Sequence, residues 1–399
     1  MQSKVPLIEV FKQRRHSQTY TILLFISIAV LIWLHLGKKE EPKIPVRRRN
    51  YTDFHSGKVS VRKFTEPLTK CQPKYGKITF FVVYRQESLD KGYYAVALES
   101  LRCYLKGRDY ELKMVDIDKD ERVQTACRKH KELFFKKHCA AAEYLKDAEW
   151  MLVLDADTGV VNPHHCVEEW IDDRVNLIFY ERFFNGEVAS ANYLVRNSHF
   201  SHDFLTKWAD YEFEKRPDLN GLDNGALQLY LVKSLLEDRT NQSQECEDIW
   251  WSGRDGATFD EYIGCVQKAL GPARLWPGKI RIWPKAHGWV RDGFVTSDKW
   301  GPSDFMLHGW KSGTVGDHGW FSPFKTDLNA EKCGQGDSGW LWRPQKKSTD
   351  EKVHKLMSRF DRNAKNLALK SVASQQIQRD DMEDCYPFCG MRAEGLFKG

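Results

Sequence analysis

The stretch Trp150-Met151-Leu152-Val153-Leu154-Asp155-Ala156-Asp157 constrains this chain more than any other. Four consecutive apolar residues, Met151 to Leu154, bounded by Thr158-Gly159, read as a strand buried on both faces. Two carboxylates one residue apart then end it. At the exit of a buried strand such a pair is costly unless a cation neutralises it. Asp155 and Asp157 share a parity, so at a turn both can face one ion. Their hard oxygens suit Mg²⁺ or Mn²⁺, ions that keep waters and bridge the phosphates of a nucleotide. Asp is also common at plain strand-to-turn junctions. The buried strand in front of it favours the metal.

The 399 residues leave room for an anchor plus one large domain or two small ones. A hydrophobic content of 41% supports a packed core. The net charge of +6 is mild and its basic residues are scattered, which excludes the dense footprint of a nucleic-acid binder. Ten cysteines predict disulfides whose pairing stays open. Zinc is the competing use. However, paired C-x-x-C knuckles are missing, and Cys385 and Cys389 have no His pair nearby.

Thr19 to Leu36 hold no Asp, Glu, Lys or Arg, which is just enough to cross a bilayer of about 30 Å. The small-residue site of a cleaved signal peptide is missing at His35-Leu36-Gly37-Lys38, so an uncleaved anchor is expected. Basic residues flank both sides and leave the orientation open. The sequons at Asn50 and Asn241, usable only in a lumen, and the cysteine count favour a cytosolic tail (1–18) and a lumenal body. Residues 37–75 are charged, carry prolines and read as a stem.

The globular part, 76–347, opens with a strand, Ile78 to Tyr84. Tyr94, Ala97, Leu98, Leu101 and Leu105 recur at helical spacing, with Gly107 as a stop. A second strand, Tyr110 to Ile117, carries Asp116, and a helix spans Leu133 to Leu145 before the acidic strand. This alternation predicts an α/β fold with an open, Rossmann-like sheet that binds ligands beyond the carboxyl ends of its strands, where Asp116, Asp155 and Asp157 lie. Val175 to Tyr180 reads as a further strand and Ala189 to Val195 as a short apolar segment. Ser201 is the expected N-cap of the next helix, and Leu222-Asp223-Asn224-Gly225 precedes another, Ala226 to Leu236. Ile249 to Phe324 reads as loop-rich and aromatic, with His-Gly-Trp at His287, His308 and His318. A closing helix with the stripe Val353, Leu356, Phe360 and Leu367 and a cysteine-containing tail (348–399) complete the chain.

An N-terminal anchor, a stem, then "EWMLVLDADTGVVNP" resembles a Golgi-type glycosyltransferase of the GT-A nucleotide-sugar fold. The segment "ANYLVRNSHFSHDFLTKW" is similar to the region after Asp-x-Asp in the fungal and plant galactosyl/mannosyl/xylosyltransferase family. The chain looks like a member of an uncharacterised nematode family of predicted nucleotide-diphospho-sugar transferases. It departs from the broader family in having Asn192-Tyr193 where a glycine precedes Arg-Asn-Ser, and Leu222-Asp223-Asn224 where a helix starts with Gln-Asp.

The resemblance implies a type II Golgi membrane enzyme with a lumenal catalytic domain. It would be a retaining hexosyltransferase-class enzyme, moving a hexose or pentose from a UDP- or GDP-sugar to a glycan or glycoprotein with Mn²⁺ or Mg²⁺. Asp157 is then the direct metal ligand, and Asp155 a second ligand or a partner of the ribose. Asp116 and Arg196 are expected to contact the donor, and Lys136 or Lys137 its phosphates unless both are simply solvated. Asp223 and Asn192 are the catalytic candidates, Asp223 competing with an ordinary N-cap role. His308 is the expected third metal ligand, because Phe305-Met306-Leu307 reads as a strand delivering it to the sheet edge. Gly309 would let the backbone approach a phosphate and Lys311 would stabilise the departing diphosphate. For His164-His165, Pro163 predicts a surface role.

Three rivals stand beside this reading. A non-catalytic lectin-like membrane protein would use some of the fourteen tryptophans to stack on sugar rings. A calcium-stabilised surface protein would need more oxygens near Asp155 and Asp157. A glycoside hydrolase needs its carboxylates about 5 to 9.5 Å apart across a cleft.

Overall fold

A computed structural model of the chain describes residues 71, 74–183, 185–214, 222–236, 240–271, 274–311, 322–325 and 327–368. These all belong to one compact unit, 61–399. The expected tail, the anchor at 19–36, nearly all of the stem, Asn50, His318, Cys385 and Cys389 lie outside the described residues. Among the described residues no helix is long and apolar enough to cross a membrane.

The first strand, β1 (Ile78–Tyr84), is mostly apolar, buried from Ile78 to Val83, and sits inside the sheet. It pairs in parallel with β2 (Glu111–Asp116) and β3 (Trp150–Asp155). Parallel neighbours require crossovers. These are supplied by the helix Ala95–Leu105 between β1 and β2 and by Glu121–Ala126 and Leu133–Leu145 between β2 and β3. After β3 the pattern changes. β5 (Leu177–Tyr180) is followed by β6 (Tyr193–Arg196), which runs antiparallel to both β3 and β5. With β7 (Leu275–Trp276) and β8 (Ile280–Trp283), the sheet has the order β2-β1-β3-β6-β5-β8-β7. The fold is therefore mixed α/β rather than a wholly parallel sheet. A second, three-stranded sheet joins β4 (Thr158–Val160), β10 (Met306–His308) and β9 (Val290–Asp292) in the order β4-β10-β9.

Alternation along the strands divides the core in two. Phe81, Val83, Met151, Val153 and Tyr193 face the helices Leu133–Leu145, His199–Asp210, Leu222–Leu235 and Gly256–Leu270. Phe80, Val82, Leu152 and Leu154 face the helix Ala95–Leu105 and the tryptophans Trp289, Trp300, Trp310 and Trp340. Each such side chain stabilises the fold by about 1.5–3 kcal/mol when fully buried. Because these tryptophans are packed into the core, they offer no ring to a sugar as a lectin would need.

Several local expectations are corrected. Ser198, not Ser201, caps the helix His199–Asp210, its side chain accepting from the Ser201 N–H. The segment read as loop-rich contains the helix Gly256–Leu270, capped by Asp255 and Thr258, as well as β7 to β10. The closing helix, Asp350–Ala368, buries Val353 and Met357 against Phe183 and Val295, so Met357 rather than Leu356 carries its stripe. His164 and His165 are buried instead of surface-facing, hydrogen-bonded to Asp337 and Glu169. Eight cysteines form four disulfides, Cys71–Cys166, Cys103–Cys333, Cys127–Cys139 and Cys246–Cys265, which leaves none of these thiols for zinc.

Candidate metal centre

The acidic turn is held from both ends by one amide. Asn192 Oδ1 accepts from the Asp155 N–H (3.1 Å) and from Thr158 Oγ1 (2.9 Å), while its Nδ2 donates to the Tyr180 hydroxyl (3.1 Å). Asn192 is fully buried, so it shapes the turn between Asp155 and Thr158 rather than meeting a substrate. β10 then brings a distant segment to the same place, with His308 opposite Thr158 on one side and Asp292 on the other. The Asp157 carbonyl accepts from the Gly309 and Trp310 N–H groups at 3.1 and 2.9 Å. Gly309 has φ +98°, a conformation that favours glycine. The Trp310 ring lies over Gly159, where an added Cβ would sit 2.5 Å from it.

The result is a cluster whose ligand atoms, from Asp155, Asp157 and His308, all lie within 4.8 Å of one another. His308 Nε2 is 3.3 Å from Asp157 Oδ1 and 3.9 Å from Asp155 Oδ2. Adjacent ligands of an octahedral ion with bonds of about 2.1 Å stand about 3 Å apart, so this set of two hard carboxylates and one imidazole fits Mg²⁺ or Mn²⁺. Lys311 Nζ stands 3.4 Å from Asp157 Oδ2 with its side chain partly exposed. Lys137 Nζ approaches Asp155 Oδ1 at 2.9 Å and Asp223 Oδ2 at 3.4 Å from the buried side.

Burial works against every charge here, and the neighbours decide the outcome. Desolvation opposes the Asp157 carboxylate, but His308 and Lys311 hold its pKa down to about 2. Desolvation likewise disfavours the His308 cation, yet Asp157 and Asp292 raise it to about 10. Burial raises Asp155 against the pull of Lys137. Lys137 stays charged, because Asp155 and Asp223 overcome its own burial.

Asp223 is buried in the first turn of the helix Leu222–Leu235 and accepts from His138 Nε2 at 3.0 Å. It therefore joins the centre through Lys137. His138 lies flat on Trp208, ring centroids 3.4 Å apart, and its Nδ1 meets the Tyr193 hydroxyl. Burial depresses its pKa to about 4 against the opposing pull of Asp223. The folded protein thus binds fewer protons than the unfolded chain between pH 6.5 and 4. Stability from this group is complete above 6.5 and is lost as the pH falls through that window, by about 3 kcal/mol. His287, lowered to about 4 by burial, acts in the same direction. His308, raised instead, contributes no slope below 6.5. Denaturant unfolding of the parent and of His138→Gln at pH 7 and pH 4.5 is expected to show a smaller acid loss in the variant; equal losses would contradict the assignment.

The remaining expected residues are dispersed. Asp116 ends β2 opposite Tyr84, while Asp155 lies opposite Val83, so both stand at one sheet edge, two strands and roughly 10 Å apart. Asp116 Oδ1 accepts from the Asp118 N–H. Lys136 is buried in the field of Asp118 and Arg85 and lies away from the acidic turn. Arg196, expected at the donor, is exposed opposite Trp150. Because β6 runs antiparallel, this is the far end of β3, roughly 17 Å from Asp155. His287 is packed away from the cluster, its carbonyl accepting from Trp170 Nε1. Asn241 is exposed in the first turn of the helix Thr240–Ser252, and the sequon there is accessible. Sequence reasoning missed Asp292, Arg182 and His138. The first two are 110 positions apart, and no local pattern links them.

A family model described as "Protein of unknown function, DUF273" matches residues 101–318. Comparison with the curated proteins gives no match. Among solved structures, a glycosyltransferase involved in the glycosylation of the major capsid of PBCV-1 is similar at 15% identity. That match covers 39% of this chain and 76% of that one, with a TM-score of 0.28. The apo form of the glycosyltransferase GlyE of Streptococcus pneumoniae TIGR4 is similar at 10% identity, over 39% of this chain and 43% of that one, with a TM-score of 0.28. A197 from STIV is similar at 12% identity, over 37% and 73% of the two chains, with a TM-score of 0.21.

Proposed function

The chain belongs to the DUF273 family, and from that premise we propose that it is a metal-dependent glycosyltransferase of GT-A type. The observation that carries this reading is the meeting of Asp155, Asp157 and His308 at the carboxyl edge of the sheet, with a lysine on either side. Ligands of open α/β sheets bind at that edge. A bound divalent ion supplies Lewis-acid neutralisation of a diphosphate leaving group. The chain's own residues do the rest. Asp155, Asp157 and His308 would hold the ion, and Asn192 keeps the turn that presents both carboxylates. Lys311, partly exposed, meets the negative charge that develops on the leaving diphosphate. Lys137 offsets the charge of Asp155 and Asp223 from their buried side. In the transfer, the bond from the anomeric carbon to the diphosphate breaks, a bond to the acceptor oxygen forms, and the proton of the acceptor hydroxyl passes to the released diphosphate.

The donor is a UDP- or GDP-sugar and the acceptor a glycan or glycoprotein, with retention as the expected stereochemistry. Four disulfides fit an oxidising compartment, in keeping with a Golgi lumen and an N-terminal anchor. A panel of nucleotide-sugars and nucleoside diphosphates with Mn²⁺ tests the reading. One diphosphate is expected to raise the melting temperature by about 5 °C at saturation, and the matching sugar to be hydrolysed or transferred. The anomeric configuration of the product reports retention. No stabilisation and no turnover across the panel would overturn the reading.

A further inference from the structure

One buried charged group beside the centre is not among the three metal candidates. Asp292 is buried, and its carboxylate is taken at both oxygens by one guanidinium, Arg182 Nη2 to Oδ1 at 2.9 Å and Nε to Oδ2 at 3.1 Å. Arg182 turns its remaining Nη1 to Glu187 at 2.9 Å, and Glu187 is also buried. A bidentate fork of this kind fixes direction as well as charge. At the other end, Asp292 Oδ1 meets His308 Nδ1 at 2.8 Å.

We propose that Asp292, clamped by Arg182, is a positioning residue that sets the tautomer and ring orientation of His308 toward the divalent ion. The inference rests on the metal reading given above. An ionised carboxylate only accepts, so His308 Nδ1 must carry the hydrogen of this pair. The other ring nitrogen, Nε2, then faces Asp157 and Asp155, where an ion would displace its proton and take the lone pair. Imidazoles that bind metals commonly give their second N–H to such an outer carboxylate, and losing it weakens the metal about 10- to 100-fold. The backbone supports the same alignment, because β9 and β10 pair in parallel with Asp292 opposite His308. The closing helix braces both sides of the clamp. Val353 and Met357 pack on Phe183 and Val295, and Lys285 bridges the Phe183 carbonyl and Asp361.

Direct Mn²⁺ binding to the full chain, by calorimetry or electron paramagnetic resonance, is the test. Asp292→Asn keeps the shape but turns one acceptor into a donor, and it is expected to weaken Mn²⁺ by about 10- to 100-fold. Arg182→Lys retains a cation without the fork and is expected to lose less, which keeps the test alive if Asp292→Asn fails to fold. With Co²⁺ at saturation, the visible spectrum of Asp292→Asn is expected to move toward that of His308→Ala, a change that lost packing would not produce. Parent-like affinity and spectrum in Asp292→Asn, alongside weakened binding in His308→Ala and Asp157→Asn, overturns the positioning role and leaves the metal reading standing. Parent-like binding in all the variants removes both.

Discussion

Asp157→Asn is expected to reduce glycosyl transfer by at least about 1,000-fold, or about 4 kcal/mol of barrier, in a protein that still folds. The substitution preserves the shape of a residue that is 3% exposed and whose carbonyl anchors Gly309 and Trp310. What it removes is the charge. With its pKa held near 2 by His308 and Lys311 against burial, Asp157 is ionised at every working pH, and protonation never mimics the asparagine. His308 Nε2 and Lys311 Nζ then lose their shared anionic partner, and the ion loses its most enclosed oxygen ligand. Steady-state rates across a Mn²⁺ titration, with melting curves as the control, provide the measurement. Turnover close to the parent at limiting Mn²⁺ in a folded variant would remove Asp157 from the metal.

Lys137→Met is expected to destabilise the fold by about 3–5 kcal/mol, with a fall in melting temperature of about 10 °C. Methionine replaces the stem of the lysine but leaves the buried Asp223 Oδ2 and the half-buried Asp155 Oδ1 without their common cation. Removing one partner of a buried ion pair costs far more than the pair itself contributes, because the remaining charge is stranded. Two carboxylates lose their shared cation here, Asp223 keeping the His138 hydrogen bond on that oxygen, and the Ser190 carbonyl loses a donor at 3.3 Å. Adding Asp223→Asn should recover about 1–3 kcal/mol through the coupling of the two sites, which separates charge from packing. Urea unfolding of the parent, both single variants and the double variant measures this. A Lys137→Met protein within about 1 kcal/mol of the parent would show that water or another group satisfies the carboxylates.

The sequence alone was enough for elements whose signal is local. Met151 to Leu154 are fully buried, as four apolar residues in a row require, and the helix Leu133–Leu145 has the bounds its pattern predicts. The acidic pair is legible because the strand and the turn are neighbours in the chain. The apolar run before His308 also reads correctly as a strand, β10.

Other features depend on which elements meet, and no local pattern holds that information. One residue along a helix is a rotation of about 100°, and that step alone decides that Lys137 and not Lys136 reaches Asp155. The antiparallel direction of β6 carries Arg196 to the far end of the sheet. Trp310 belongs to the core because Gly159, 151 positions earlier, leaves room for its ring, and Arg182 finds Asp292 only where β9 comes to lie beside β10. Burial makes these long-range pairs decisive: each charge taken from water needs a partner, and the fold supplies one from wherever in the chain the packing brings it.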